Sequence, residues 1–178
     1  HVRKLSTEFG PRDFSHPENL DQVAAYIKNE LSQTGAFVSE QVYRVRAKSY
    51  RNVIAHFGPE TEERIIVGAH YDTAGPLPGA DDNASGVAGL IELARLLDRQ
   101  QLKVRVELVA FSTEEPPYFG TTGMGSYVHA ESLRQQNVRV RAMFSLEMIG
   151  YFSDAPNSQH FPIGLLNALY PSTGNYIT

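Results

Sequence analysis

The sequence predicts an α/β fold, a three-layer α/β/α sandwich on a mainly parallel central sheet, and two observations carry that prediction. From Arg64 onward the periodicity of apolar residues runs strand, helix, strand, helix, strand. Right-handed crossovers turn such an order into parallel strands with helices on both faces. Within it, Arg64-Ile-Ile-Val-Gly-Ala-His70 is almost wholly apolar, as expected of a central strand covered on both sides.

Each element has its own justification. From Glu18 to Thr34, Leu20, Val23, Ala24, Ile27 and Leu31 recur at the three-and-four spacing of one helix face, with Pro17 suited to the first turn and Gly35 to the exit. Phe37 to Arg46 and Tyr50 to Phe57 are β-rich, the second closed by the turn signal Gly58-Pro59, and together they predict a paired sheet edge. After the polar loop Glu60 to Glu63 comes the apolar strand. Ser85 to Arg99 carries Val87, Leu90, Ile91, Ala94 and Leu97 as a second amphipathic helix. Lys103 to Phe111 alternates Val104, Val106, Leu108 and Ala110 as a strand. Met124 to Gln136 predicts a third helix packed by Met124, Tyr127, Val128 and Leu133, and Val138 to Leu146 another strand. Past Tyr151 the periodicity fades, leaving one short helical stretch near Leu165 to Leu169.

Composition narrows the chemistry. The 178 residues suffice for one domain, read here as spanning 1–178, and 42% hydrophobic with 20% charged residues is ordinary globular usage. With 16 basic against 20 acidic residues the net charge is -4, so a chain-wide basic footprint for nucleic acid is absent. No stretch approaches the roughly 18 to 20 apolar residues of a membrane span, and His1 to Pro11 has no apolar signal core. Zero cysteines excludes thiolate zinc sites and a cysteine nucleophile, so a metal here must use His, Asp or Glu. Neither a G-x-S-x-G elbow nor a G-x-x-x-x-G-K-[ST] loop is present.

In open α/β sheets ligands bind beyond the carboxyl ends of the strands. There the chain places His70-Tyr-Asp72 and Asp81-Asp82-Asn83 after the first parallel strand, Glu114-Glu115 after the second, and Glu147 after the third. Separately, each has a plain reading. His70 suits a satisfied histidine, Asp81-Asp82-Asn83 a turn or helix cap with Ser85 as another cap, Glu114-Glu115 a solvated loop, and Glu147 a partner for Arg141. Together they would crowd like charges on one edge, which a bound cation resolves.

The joint pattern of His70-Tyr-Asp72, Pro78-Gly-Ala-Asp-Asp82-Asn-Ala-Ser-Gly86, Glu114-Glu115-Pro-Pro and Leu146-Glu147-Met-Ile-Gly150 resembles the successive motifs of the co-catalytic zinc aminopeptidases. This family includes bacterial leucyl aminopeptidases and glutamate carboxypeptidase-like enzymes. The resemblance covers nearly the whole chain, from His1 to Pro171. It implies two zinc ions, with Asp82 bridging them, His70 and Glu147 completing one and Glu115 binding the other. Zinc accepts imidazole and carboxylate ligands, and a bridging carboxylate suits paired metals. It implies Glu114 as general base, taking a proton from the attacking water and handing it to the leaving amine. Asp72 would orient His70 through the imidazole's other N–H, and the Asp82–Asn83 peptide would be cis.

The implied activity is removal of N-terminal residues from peptide substrates. Two departures stand against the pattern. Glu147 stands where many relatives have Asp. The family's last zinc ligand is a histidine far downstream, to which neither His129 nor His160 corresponds. These two, like His1, His16 and His56, receive no role. The expectation is therefore an N-terminal portion of the catalytic domain, its C-terminal part absent, holding one zinc or fewer tightly, with activity or inactivity of the fragment itself left open. Missing strands would leave a sheet edge open to self-association. Family habit points to export. The competing expectations are a non-catalytic binding module of the same fold and another di-metal hydrolase such as a phosphoesterase.

Overall fold

The computed structural model describes residues 1–161 and 163–176. Five strands, β1 (Phe37–Val45), β2 (Lys48–Phe57), β3 (Glu63–His70), β4 (Arg105–Phe111) and β5 (Arg139–Ser145), form one sheet in the order β1-β2-β4-β3-β5. β3 pairs in parallel with β4 and with β5, whereas β1 with β2 and β2 with β4 pair antiparallel. The sheet is thus mixed. Parallel pairing is confined to the strands that helices connect, and the tight turn between β1 and β2 makes the expected paired edge. β3 lies inside the sheet, although the middle position belongs to β4.

The helices are α1 (Val2–Thr7), α2 (Pro17–Leu31), α3 (Gly86–Leu97) and α4 (Gly125–Gln135), followed by a 3-10 turn at Gly164–Ala168. α2 starts at Pro17, where the missing N–H costs nothing, and ends at Leu31, before the expected Thr34. Leu20, Val23 and Ile27 of α2 and Val87, Leu90 and Ile91 of α3 pack on Val53, Ala55, Val67, Ala69, Leu108 and Ala110. Each such side chain contributes about 1.5–3 kcal/mol by leaving water, so this layer dominates the core. On the opposite face Leu133 of α4 covers Ile54, Ile66, Val109 and Phe111 in a smaller cluster. That gives the three layers.

α4 departs from its expected packing. Tyr127 is exposed, and the buried positions are Gly125, His129 and Leu133. His129 Nε2 lies 3.3 Å from Glu107 Oε2, whose other oxygen is met by His56 Nδ1 at 3.2 Å and Arg64 Nη1 at 2.5 Å. Glu107 is fully buried. Burial favours its neutral form, yet His129, His56 and Arg64 hold it well below the usual carboxylate range. The histidines denied a chemical role at positions 56 and 129 thus tie sheet to helix. Beside α4 an open apolar groove of about 760 Å³ is lined by Ile66, Phe111, Tyr127, Leu133 and Met143, apart from the carboxylates described next. β5 sits at the sheet edge with Val140, Met143 and Phe144 exposed. Among the described residues no helix is long and apolar enough to cross a membrane.

Candidate metal centre

The parallel register brings the ends of β3, β4 and β5 side by side, with His70 opposite Phe111 and Gly68 opposite Ser145. The residues that follow each strand therefore share one edge, as the sequence predicts. His70 closes β3 and is buried. Its Nδ1 donates to the main-chain carbonyl of Asp72 at 3.1 Å, which leaves Nε2 facing the other groups. Asp82 Oδ1 lies 3.2 Å from that nitrogen, Glu147 Oε2 3.3 Å and Glu114 Oε2 3.8 Å.

Two overlapping groups of donors, His70 with Asp82 and Glu147, and His70 with Glu114 and Glu115, each have ligand atoms within 4.8 Å of one another. All five of the named ligands and base thus gather at one imidazole. Asp72 meets both His70 and the paired glutamates. Its carboxylate stands 3.5 Å from His70 Nδ1, and it is the Asp72 main-chain oxygen that takes the imidazole hydrogen bond. The carboxylate also accepts the Glu114 N–H at 3.1 Å and the Glu115 N–H at 3.0 Å, one on each oxygen. A buried acceptor thereby fixes the backbone of both glutamates.

Asp82 lies in the turn Ala80–Ser85, where the helical path breaks at Asp82 and Asn83, and the peptide between them is cis. Ser85, the N-cap of α3, makes no side-chain cap bond, whereas Asn83 Oδ1 accepts the N–H of Gly86, the first residue of that helix, at 3.0 Å. Arg141 approaches Glu63 at 4.0 Å, so the plain reading of Glu147 as its partner is not what the fold makes.

The electrostatics follow from crowding. Burial opposes a charge on His70, but Asp72 and Glu147 override it and push the imidazole up to about 11. Burial, with Asp72, Glu115 and Glu147 nearby, pushes Glu114 up to about 7, against the pull of His70. Asp82 and Glu115 are raised for the same reasons, burial first. Left to themselves, the carboxylates draw a proton onto the imidazole, and burial and crowding oppose the charge on Asp82, Glu114 and Glu115. A divalent cation removes that need. The donor chemistry fits one: Asp82 Oδ1 is buried without a hydrogen-bond partner and faces an imidazole nitrogen, and nitrogen with carboxylate oxygen is a zinc donor set.

Two residues that sequence reasoning passed over position this edge. The Arg12 side chain is buried and donates Nε to Tyr71 O at 2.9 Å, Nη1 to Leu5 O at 2.6 Å and Pro78 O at 2.8 Å, and Nη2 to Gly79 O at 3.0 Å. It ties α1 and the end of β3 to the loop leading into Asp82. Burial pulls its guanidinium down to about 10 against the attraction of Asp72 and Asp82, so it stays charged at neutral pH. Thr113, immediately before Glu114, has a left-handed backbone with φ 56°. Its hydroxyl is 2.8 Å from Gly123 O and 2.8 Å from Tyr43 Oη, which pins that turn. Only Thr113's position ahead of the paired glutamates was a signal of its use.

Residues 52–168, more than half of the chain, match the model of peptidase family M28. The chain belongs to peptidase family M28. It is 46% identical over 184 residues to the uncharacterized protein YfbL of Escherichia coli, covering 99% of this chain and 56% of that protein. It is 29% identical over 173 residues to leucine aminopeptidase 1 of Ajellomyces capsulatus, covering 90% of this chain and 42% of that one. The chain thus spans about half the length of these relatives. Among solved structures, Porphyromonas gingivalis glutaminyl cyclase is similar with a TM-score of 0.73 at 27% identity, over 88% of this chain and 60% of the other. A Zn-dependent exopeptidase from Parabacteroides distasonis matches with a TM-score of 0.69 at 26% identity, over 85% and 62%.

Proposed function

We propose that this M28 chain carries the catalytic edge of a zinc-dependent exopeptidase that removes N-terminal residues from peptides. The observation that carries the reading is the convergence of the Asp82, Glu147 and Glu114 carboxylates on His70 Nε2. In it Asp82, His70 and Glu147 would hold one zinc, and Asp82 with Glu115 another. Bound zinc supplies Lewis acidity that polarises a peptide carbonyl and acidifies water.

The remaining roles belong to the chain itself. Glu114, pushed up to about 7, is matched to accepting a proton from the attacking water near neutral pH and returning it to the departing amine. Asp72 holds the two main-chain amides that aim Glu114 and Glu115. The carbonyl of Asp72 keeps the proton of His70 on Nδ1, so that Nε2 is the ligand atom. We also take residues 1–178 to belong to one catalytic domain.

The test is hydrolysis of aminoacyl-4-nitroanilides by the zinc-loaded chain and by Glu114→Gln. The variant keeps its zinc and loses about 10²- to 10⁴-fold in kcat. Equal rates in the two proteins refute the role of Glu114. A folded chain that binds no zinc favours a binding module, and turnover of a phosphate ester a phosphoesterase. The likeness to glutaminyl cyclase favours one further reading, cyclisation of an N-terminal glutaminyl residue with loss of ammonia. Glutaminyl peptides in the same assay separate it from hydrolysis.

A further inference from the structure

The loop bearing Asp82 and the loop bearing Glu147 are joined almost residue by residue. Asn83 Nδ2 donates to Leu146 O at 2.8 Å and to Glu147 Oε2 at 3.2 Å. Asn83 Oδ1 accepts the Met148 N–H at 3.3 Å and the Gly86 N–H at 3.0 Å. Next along the chain, Ile149 N–H donates to Ser85 Oγ at 3.1 Å and Gly150 N–H to Asp81 Oδ1 at 2.8 Å. Ser85 in turn donates to Asp81 O at 2.7 Å.

Asn83 is fully buried, and both halves of its amide are in use. Only a primary amide can do this, because it presents two donors and an acceptor on one short side chain. The segment it grips needs gripping. Met148 has a left-handed backbone, φ 48°, which a residue with a Cβ seldom adopts, and its side chain is exposed. The packing is close as well: a Cβ on Gly86 would meet Asn83 Oδ1 and Leu146 O, and one on Gly150 would meet Asp81 Oδ1 at 2.9 Å.

We propose that Asn83, Ser85 and Asp81 are positioning residues that clamp the 146–150 loop and so set Glu147 opposite Asp82. The inference rests on the zinc reading above, since it assigns the clamp the task of spacing two metal ligands. Hydrogen-bonded supports of this kind are worth about 10- to 100-fold in metal affinity. Asn83→Asp is the informative change. It keeps the shape and the acceptor, removes both donors, and sets a second carboxylate against Glu147.

The experiment compares the full chain with Asn83→Asp and Ser85→Ala. It measures zinc affinity by competition with a chromophoric chelator, amide exchange of residues 148–150 in the zinc-free protein, and the melting temperature. Asn83→Asp is expected to lose exchange protection at Met148, Ile149 and Gly150 and to bind zinc about 10- to 100-fold more weakly. Ser85→Ala, which removes the Ile149 acceptor and the donor to Asp81 O, gives a smaller loss in the same direction, and it carries the test if Asn83→Asp fails to fold. A purely structural role would shift melting and leave affinity unchanged, and that result overturns the proposal. So does parental zinc affinity in a folded Asn83→Asp variant. If the parent itself holds no zinc while its amides 148–150 are protected, the zinc reading fails and takes this inference with it.

Discussion

Replacing Arg12 by Met tests how the edge of the sheet is held, without any appeal to catalysis. The guanidinium is buried and donates to four main-chain carbonyls, those of Leu5, Tyr71, Pro78 and Gly79. Hydrogen bonds from a charged donor are worth about 1.5–3 kcal/mol each, a gross loss on the order of 6–12 kcal/mol. Removing the charge also removes its desolvation cost, several kcal/mol for a buried ion, so the net loss is about 3–5 kcal/mol. That is a large share of the 5–15 kcal/mol typical of a folded domain. Arg12→Lys keeps the charge but not the planar fan of donors, and should lose about half as much. Urea unfolding of the zinc-free proteins at neutral pH measures all three. A loss below about 1 kcal/mol for Arg12→Met would mean that the carbonyls find other partners and that Arg12 does not organise this edge.

Asp72→Asn leaves one of the Glu114 and Glu115 amides facing an NH₂ group instead of a carboxylate oxygen. Zinc affinity by calorimetry should fall about 10- to 100-fold, and an unchanged affinity would sever Asp72 from the site. Glu107 titrates below its ordinary 4.5, so its ion pairs stabilise the fold above that pH, and the contribution drains away as pH falls toward the depressed folded value. Glu107→Gln should therefore be less stable than the parent at pH 7, by an amount on the order of 3 kcal/mol. The difference should shrink below about pH 4. A difference that stays constant with pH in urea melts contradicts the cluster of Glu107 with His56, His129 and Arg64.

The strands and the longer helices were readable because burial imposes a period on them. β3 is apolar from Ile65 to Ala69, and α2 and α3 show their buried faces in the spacing of Leu20, Val23 and Ile27 and of Val87, Leu90 and Ile91. α1 escaped notice because it is six residues long and buries only Leu5, too little to make a period. Glu107 reads as the outward side of an alternating strand, yet α4 covers that side and supplies His129. A period of two reveals which residues share a face, not whether both faces are covered.

The carboxylates of the site were legible as a set, since strand ends in a parallel sheet converge. What orients them was not. Arg12 beside Pro11 looks like a surface residue, and its partners Tyr71, Pro78 and Gly79 lie 59, 66 and 67 residues away. Asp72 was legible as a helper of His70, but the choice between its side-chain and main-chain oxygen is a matter of ångströms. The mixed sheet has a similar cause: the antiparallel partner of β4 is β2, and pairing between distant strands leaves no local trace.

The central claim is that His70, Asp82, Glu115 and Glu147 hold zinc. Zinc per chain, by elemental mass spectrometry after loading and dialysis, tests it most directly when the parent is compared with Asp82→Ala. Zinc should be retained by the parent and lost from the folded variant, because Asp82 faces His70 Nε2 at 3.2 Å with a buried oxygen that has no other partner among the described residues. A folded parent that retains no zinc, or an Asp82→Ala variant that retains as much as the parent, would contradict it.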